Sequence, residues 1–413
     1  MKIKILVLFI AFFFPTFISA QNGSTYSRYG IGDLVYSYSA RRLGMGQIGT
    51  SISDEDFIGT VNPASLNRLN YTRIEFGGYY NGMFLSNNQS KKYYSETEFS
   101  GFTFGFPISQ LYGIGAAIGI IPYSNVSYKV SENISGSAAV GNKIDYEGSG
   151  GLSKIFIGAS YKLPIDFSIG ATLDYYFGNL NYESTVSFAN SETNKTEYLR
   201  SYRPNGVGTT VGFISPDLSN LFNSESISDF RFGVSANILS NLSADTILTA
   251  TTPIIIDTLG KSTVDIKIPT RLSAGFSFKL NQKYLISLDY VFQPFKNYSL
   301  NGIKSPNLRD VMKFSTGFEY RPLKDAGASF WEQIIWRSGL SYEQTQYEIN
   351  NTGINQYSVS GGFSLPLGLE NTLDIALVYS MRGSTASNLF KENILKLGLG
   401  ISFGDLWFIR QEK

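Results

Sequence analysis

The residues whose type and spacing could do chemistry are few. An acidic run, Asp54-Glu55-Asp56, has the charge to imitate a cation site. It lacks the ligand spacing of a calcium loop and reads as a solvated turn. Eight charged residues, Glu75, Arg231, Asp289, Lys313, Glu319, Arg337, Asp374 and Lys396, stand among apolar neighbours. They could line a polar path, or pair as wall residues that hold something inside. The 413-residue chain has no His and no Cys. Without an imidazole, Ser-His-Asp hydrolysis, His-ligated haem and the commonest catalytic metal sites are excluded, and without a thiol so are disulfides, thiolate zinc sites and cysteine nucleophiles. No catalytic, metal or cofactor site is assigned. A net charge of +1 with no concentrated basic face argues against a nucleic-acid partner.

The eight charges must be positioned by strands. Charged residues make up 16% of the chain and aromatic residues 15%, whereas a soluble domain carries about 25% charged residues. Phe167, Ile169, Ala171, Leu173, Tyr175 and Phe177 form one apolar face, with Ser168, Gly170, Thr172, Asp174 and Gly178 on the other. Leu395, Leu397, Leu399, Ile401 and Phe403 stand in the same way against Lys396, Gly398, Gly400 and Ser402. Period-two alternation of this length means strands with one face in an apolar medium. A soluble sandwich crowds its polar face with Lys, Glu and Thr. Here that face is Gly, Ser and isolated charges, as inside a barrel whose outer face meets lipid.

Lys2 and Lys4 precede an apolar run from Ile5 to Phe17, and Ile18-Ser19-Ala20 offers a small residue before Gln21, so residues 1–20 read as a secretory signal peptide. After Gln21 no stretch of 18 apolar residues is available for a membrane-spanning helix. Residues 71–413 read as an all-β, transmembrane antiparallel β-barrel of about 14 strands. The strands are centred near Phe76, Phe104, Ile118, Ile157, Leu173, Val211, Val234, Phe276, Leu288, Thr316, Trp336, Val359, Leu377 and Leu399. Connections near Asn88, Gly136, Ser191, Ala250 and Tyr298 read as long and polar, those at Leu163–Asp166 and Asn281–Lys283 as tight turns, and Ser215–Ser228 as a connection with room for a short helix. Residues 21–70 show no sustained alternation, yet Ile31, Leu43, Met45, Ile48, Ile52, Phe57, Ile58 and Leu66 need a surface to pack against. The barrel interior supplies one, which makes the segment a hatch plugging the lumen.

Arg42-Leu43-Gly44-Met45-Gly46-Gln47-Ile48-Gly49, followed by Asn62-Pro63-Ala64-Ser65-Leu66 just before the first strand, resembles the N-terminal hatch of the FadL family of outer-membrane transporters. The resemblance implies a fourteen-stranded barrel with Asn62, Pro63, Ala64, Ser65 and Leu66 as hatch or gate. On the residues alone, Asn62-Pro63 could simply end a turn. In the third strand, Tyr112 to Val130, the expected lumen face is Gly113, Gly115, Ala117 and Gly119, and Pro122 removes a ladder donor. In the family this strand is kinked and opens a lateral window, so Gly113, Gly115, Gly119 and Pro122 are candidates for that opening. The alternative is that these small residues only make room for the hatch.

The resemblance implies passive uptake of hydrophobic, fatty-acid-like molecules across the cell outer membrane, with membrane lipid and a hydrophobic small molecule as partners. A related group, resembling the PorV component of type IX secretion, uses a similar barrel to bind exported proteins. Long connections such as Ala244 to Val264 also suit a protein partner at the extracellular loops. Ala244–Ile247 and Ile256–Leu259 within that connection could be strand-like loop edges or partner contacts, and no function is assigned to them.

Overall fold

The computed structural model describes residues 23–88, 90–134, 142–188, 191–322, 328–368 and 370–406. The expected signal peptide, residues 1–20, and the connection at Gly136 lie outside the described residues. Fourteen antiparallel strands close into a barrel. In chain order they are β1 (Thr72–Ser86), β2 (Lys91–Ser109), β3 (Ile114–Asn133), β4 (Lys143–Lys162), β5 (Ser168–Phe188), β6 (Ser191–Ile214) and β7 (Ile227–Leu239). The second half is β8 (Arg271–Leu280), β9 (Tyr284–Gln293), β10 (Val311–Tyr320), β11 (Ile335–Ile349), β12 (Thr352–Pro366), β13 (Thr372–Gly383) and β14 (Lys391–Asp405). β14 returns to β1 along its whole length, from Lys391 opposite Ser86 to Asp405 opposite Thr72. Closure leaves no sheet edge along that junction. Each of the fourteen expected centres falls in its own strand.

The alternation read from the sequence is the in-and-out alternation of the wall. On β5, Leu173 is 72% exposed to the outside and Asp174 only 3% exposed inside. β4 turns into β5 through residues 163–167, and β8 into β9 through residues 281–283, where Asn281 and Gln282 take positive φ values of 49° and 60°. Both residues lie in the left-handed region that Asn tolerates best among non-glycines. The Ser215–Ser228 connection carries a one-turn 3-10 helix, Ser219–Phe222. These turns define a short-turn end. At the opposite end, the connection near Asn88 is only residues 87–90, because β1 and β2 themselves run on. The β7–β8 connection folds into a hairpin, Leu242–Thr251 and Ile256–Lys267, whose first strand pairs with β6 from Asn205 opposite Ser243 to Glu197 opposite Thr251.

Inside the wall runs the N-terminal segment. Ser24 bonds Glu392 at the long-loop start of β14, at 2.9 Å. Asn67 bonds Ser168 at the short-turn start of β5, at 2.8 Å, and the Asn70 carbonyl accepts from Gln110 beside the β2–β3 turn, at 2.9 Å. The segment therefore spans the lumen from one end to the other. Tyr26, Ile31, Leu242, Ile266, Phe295 and Tyr347 form an apolar cluster beneath the long connections. Met45, Ile48, Ile52 and Leu285 form a second, between segment and wall.

Candidate functional site

The segment fits because the wall is glycine where it touches. A Cβ on Gly115 would lie 2.0 Å from the Leu66 carbonyl oxygen, one on Gly212 1.9 Å from Asn62 Oδ1, and one on Gly339 2.3 Å from the Gly46 nitrogen. Inward glycines thus mark close backbone approach. Asn62 is fully buried and caps the 3-10 helix Pro63–Arg68, its Oδ1 accepting from the Ala64 amide at 3.0 Å. Its Nδ2 donates to the carbonyls of Thr50 (2.7 Å), Phe213 on β6 (3.0 Å) and Val234 on β7 (3.2 Å). Pro63 at the first helical position suits the fixed φ of proline and needs no donor. Pro63, Ala64, Ser65 and Leu66 are all buried on the wall.

Charges complete the seat. Arg41, on a short helix Ala40–Leu43, forks onto Glu319 of β10 at 2.9 and 3.0 Å and also pairs with Asp54. Arg337 of β11 joins the same Glu319 at 2.7 Å and reaches Asp374 of β13 at 3.0 Å. Arg42 and Arg321 each hold Asp54 at 3.0 Å. The Phe57 ring lies beneath this cluster, with the Arg41 guanidinium 4.0 Å from its centre. Burial alone would raise the Asp54 carboxyl, but Arg41, Arg321 and Arg42 overcome it and hold it well below the usual carboxylate range. Burial and the neighbouring Arg41 bring the Arg42 guanidinium down to about 10.

All eight charges singled out in the sequence point into the lumen, but they do different work. Glu75 accepts from Tyr38 (2.5 Å) and from the Ile58 amide (2.9 Å). Asp289 accepts from the amides of Gly49 and Thr50, both at 2.9 Å, and Lys313 donates to Gln47 at 2.5 Å. With Glu319 these four hold the segment directly, whereas Arg337 and Asp374 support Glu319. Arg231 bonds Asp229 and the Ser215 carbonyl, and Lys396 lies 4.1 Å from the Tyr79 ring centre, so these two contact the wall. The acidic run is not a solvated turn throughout: Asp54 is buried in the ion cluster, while Glu55 stays exposed beside Arg68 at 3.4 Å. Arg41, Arg42 and Arg321 went unrecognised because no periodic signal links the segment to β10.

Among the described residues the wall has one seam. β2 and β3 pair from Ser109 opposite Ile114 to Phe102 opposite Ile120, and no further among the described residues. A bulge places Ser100 out of register with β1, and another places Tyr123 out of register with β4 beside Pro122, which has no donor. Two bulges bend the strands apart where pairing ends. The freed edge of β3 instead takes the N-terminal segment, Asp33 opposite Asn125 and Leu34 opposite Ser124. Asn125 still reaches across to Glu98 of β2 at 2.7 Å. Behind the seam lies a cavity of about 110 Å³ whose walls include Asp33, Glu98, Lys313, Arg382 and Lys396. Of the four residues expected at an opening, Pro122 stands at the parting. Gly113 is not on the lumen face but in the β2–β3 turn, with φ 59°. Gly115 lies under Leu66, and Gly119, paired with Thr103, would place a Cβ 2.7 Å from the Phe102 carbonyl, so both lie below the seam in closed wall.

A family model described as BamG matches residues 1–413. The chain belongs to the BamG family. No curated protein matches this BamG-family chain. Solved structures do. The CymD monoaromatic hydrocarbon channel has a TM-score of 0.57 at 16% identity, covering 91% of this chain and 99% of its own. The Pseudomonas putida toluene transporter TodX has a TM-score of 0.60 at 14% identity, with 91% and 99% covered. A Pseudomonas aeruginosa FadL homologue has a TM-score of 0.59 at 11% identity, with 90% and 98% covered. These likenesses are of fold, and they are to the FadL-type barrel that the hatch residues led us to expect.

Proposed function

We propose that this chain is a passive outer-membrane channel for small hydrophobic molecules, with residues 21–70 as its hatch and the β2–β3 seam as its way out into the membrane. The long-loop end then faces the cell exterior and the short-turn end the periplasm. The parting of β2 and β3 carries the reading: it begins at Phe102 and Ile120, beside the outward apolar residues Phe99, Phe102 and Ile118. Structures of the same fold include a monoaromatic hydrocarbon channel and a toluene transporter, which supports this substrate class. The Asn62–Leu66 turn is pinned on three sides and is a poor gate. Asp33 and Leu34, paired over the seam, are better placed to move. No catalytic step is needed.

A second reading is favoured by a specific observation. The 110 Å³ cavity and a neighbouring one of about 70 Å³, which shares Tyr36 and Gln47 with it, are each smaller than the ~150 Å³ apolar cavity that admits benzene, and charges line both. A barrel that is full in this way suits a non-enzymatic outer-membrane protein that binds exported proteins or secretion components. The test is uptake of a labelled hydrophobic compound by cells expressing Glu98→Cys with Asn125→Cys, a reducible lock across the seam. Uptake should fall when the lock is oxidised and return on reduction. Uptake indifferent to the lock removes the lateral exit. Uptake equal with and without the protein, together with loss of surface-exposed exported proteins, establishes the second reading.

A further inference from the structure

Two unpaired cations stand on the outer face of the wall at its long-loop rim. Lys391 of β14 lies opposite Ser86 of β1, and Ser86 lies opposite Lys91 of β2, so the three share one row across three strands. Lys391 has the parity of the outward residues Leu395 and Leu397, and Lys91 that of outward Tyr93. Both side chains therefore leave the wall on its outer face. The next outward row is Asn393, Phe84 and Tyr93. There the Phe84 and Tyr93 rings lie 4.8 Å apart, and Lys91 Nζ is 5.1 Å from the centre of the Phe84 ring. Gly383 pairs with Lys391 on its far side, so neither row carries an outward acid. Among the described residues no carboxylate meets either ammonium.

Height places this row. Phe403 is the last outward apolar residue of β14 before Asp405, and Lys391 stands at the other end of the same strand. At about 3.3 Å per residue and a tilt of about 40°, Lys391 is about 30 Å from Phe403 along the barrel axis, against an apolar band about 25 Å tall. The lysines thus lie just beyond the band, at the level of lipid headgroups, with aromatic rings below them. Two strand spacings put their Cα atoms about 10 Å apart, a gap that two flexible four-carbon stems can close on one phosphate. A soluble anion would meet only the charges there, whereas a lipid meets the charges with its phosphate and the rings with its acyl carbons. We propose that Lys91 and Lys391 bind the phosphate of one anionic lipid in the leaflet at the long-loop end, above the shelf formed by Phe84 and Tyr93. This rests on the outer wall facing lipid and on neither reading of the lumen.

The test uses the full-length protein, purified folded in detergent and incubated with equal amounts of dipalmitoyl phosphatidylglycerol and dipalmitoyl phosphatidylcholine. Native mass spectrometry then reads which lipid stays bound. The wild-type chain should retain the anionic lipid in preference. Lys91→Gln and Lys391→Gln should each lower that preference about five-fold, and together about 25-fold. Lys91→Arg with Lys391→Arg should keep it, because the charge stays. Lys261→Gln with Lys304→Gln removes the same charge from exposed positions on the long connections and should leave it unchanged. No preference in the wild type, or one unmoved by the Lys91 and Lys391 pair in protein that keeps its heat-modifiable folded band, overturns the site. An equal loss in the Lys261 and Lys304 pair makes the preference one of net charge and overturns it too. Displacement of the lipid by inorganic phosphate makes the occupant a soluble anion and overturns the lipid assignment. None of these readouts involves uptake, so the channel reading is tested separately.

Discussion

Asp54 is where the electrostatics of the N-terminal segment concentrate, since three guanidiniums meet its carboxylate in a buried site. Its folded-state pKa lies below the unfolded value of about 3.9. Its contribution is therefore present at neutral pH and is lost as the pH falls from about 4 through the folded value. Acidification through that window should raise amide exchange in residues 41–58 before the barrel itself unfolds. Asp54→Asn should do the same at pH 7, because removing one member of a buried ion cluster costs about 3–5 kcal/mol. Unchanged exchange in the variant, read by mass spectrometry, would mean that the glycine contacts alone seat the segment.

At the scale of the strand, register decides which side of the wall a residue serves. Leu397 and Leu399 of β14 lie on its outward face, while Gly398 faces Leu43 of the N-terminal segment, where a Cβ would come within 2.8 Å of Leu43 Cδ1. Leu397→Arg should impair membrane assembly by about 2–4 kcal/mol, measured as loss of the heat-modifiable folded band on gels. Gly398→Ser should leave that band and instead raise amide exchange around Leu43. A one-residue slip would exchange the two outcomes, because it flips every side chain.

For the whole molecule, strand parity sets orientation. A cysteine at Asn88 should react with an impermeant reagent on intact cells, and one at Asn281 should react only after the outer membrane is opened. Both positions are exposed in the fold, so access alone separates them. Labelling at Asn281 in intact cells would reverse the barrel and exchange the ends assigned above.

The strands were legible in the sequence because a wall between lipid and a polar lumen imposes period two on every span, from Phe167–Gly178 to Leu395–Phe403. Inward charges such as Glu319 and Asp289 were legible for the same reason, as was a packed N-terminal segment in the apolar residues from Ile31 to Leu66. Their partners were not. Arg41 meets Glu319 across 278 positions, and no local pattern encodes a contact made only when the barrel closes around its own N-terminus. The end of the β2–β3 pairing was legible in Pro122 and not in Gly115 or Gly119, which lie in paired wall, since glycine reads alike whether it weakens a strand or admits a neighbouring backbone. That choice was made in three dimensions, where Leu66 occupies the space above Gly115 and two bulges part β2 from β3.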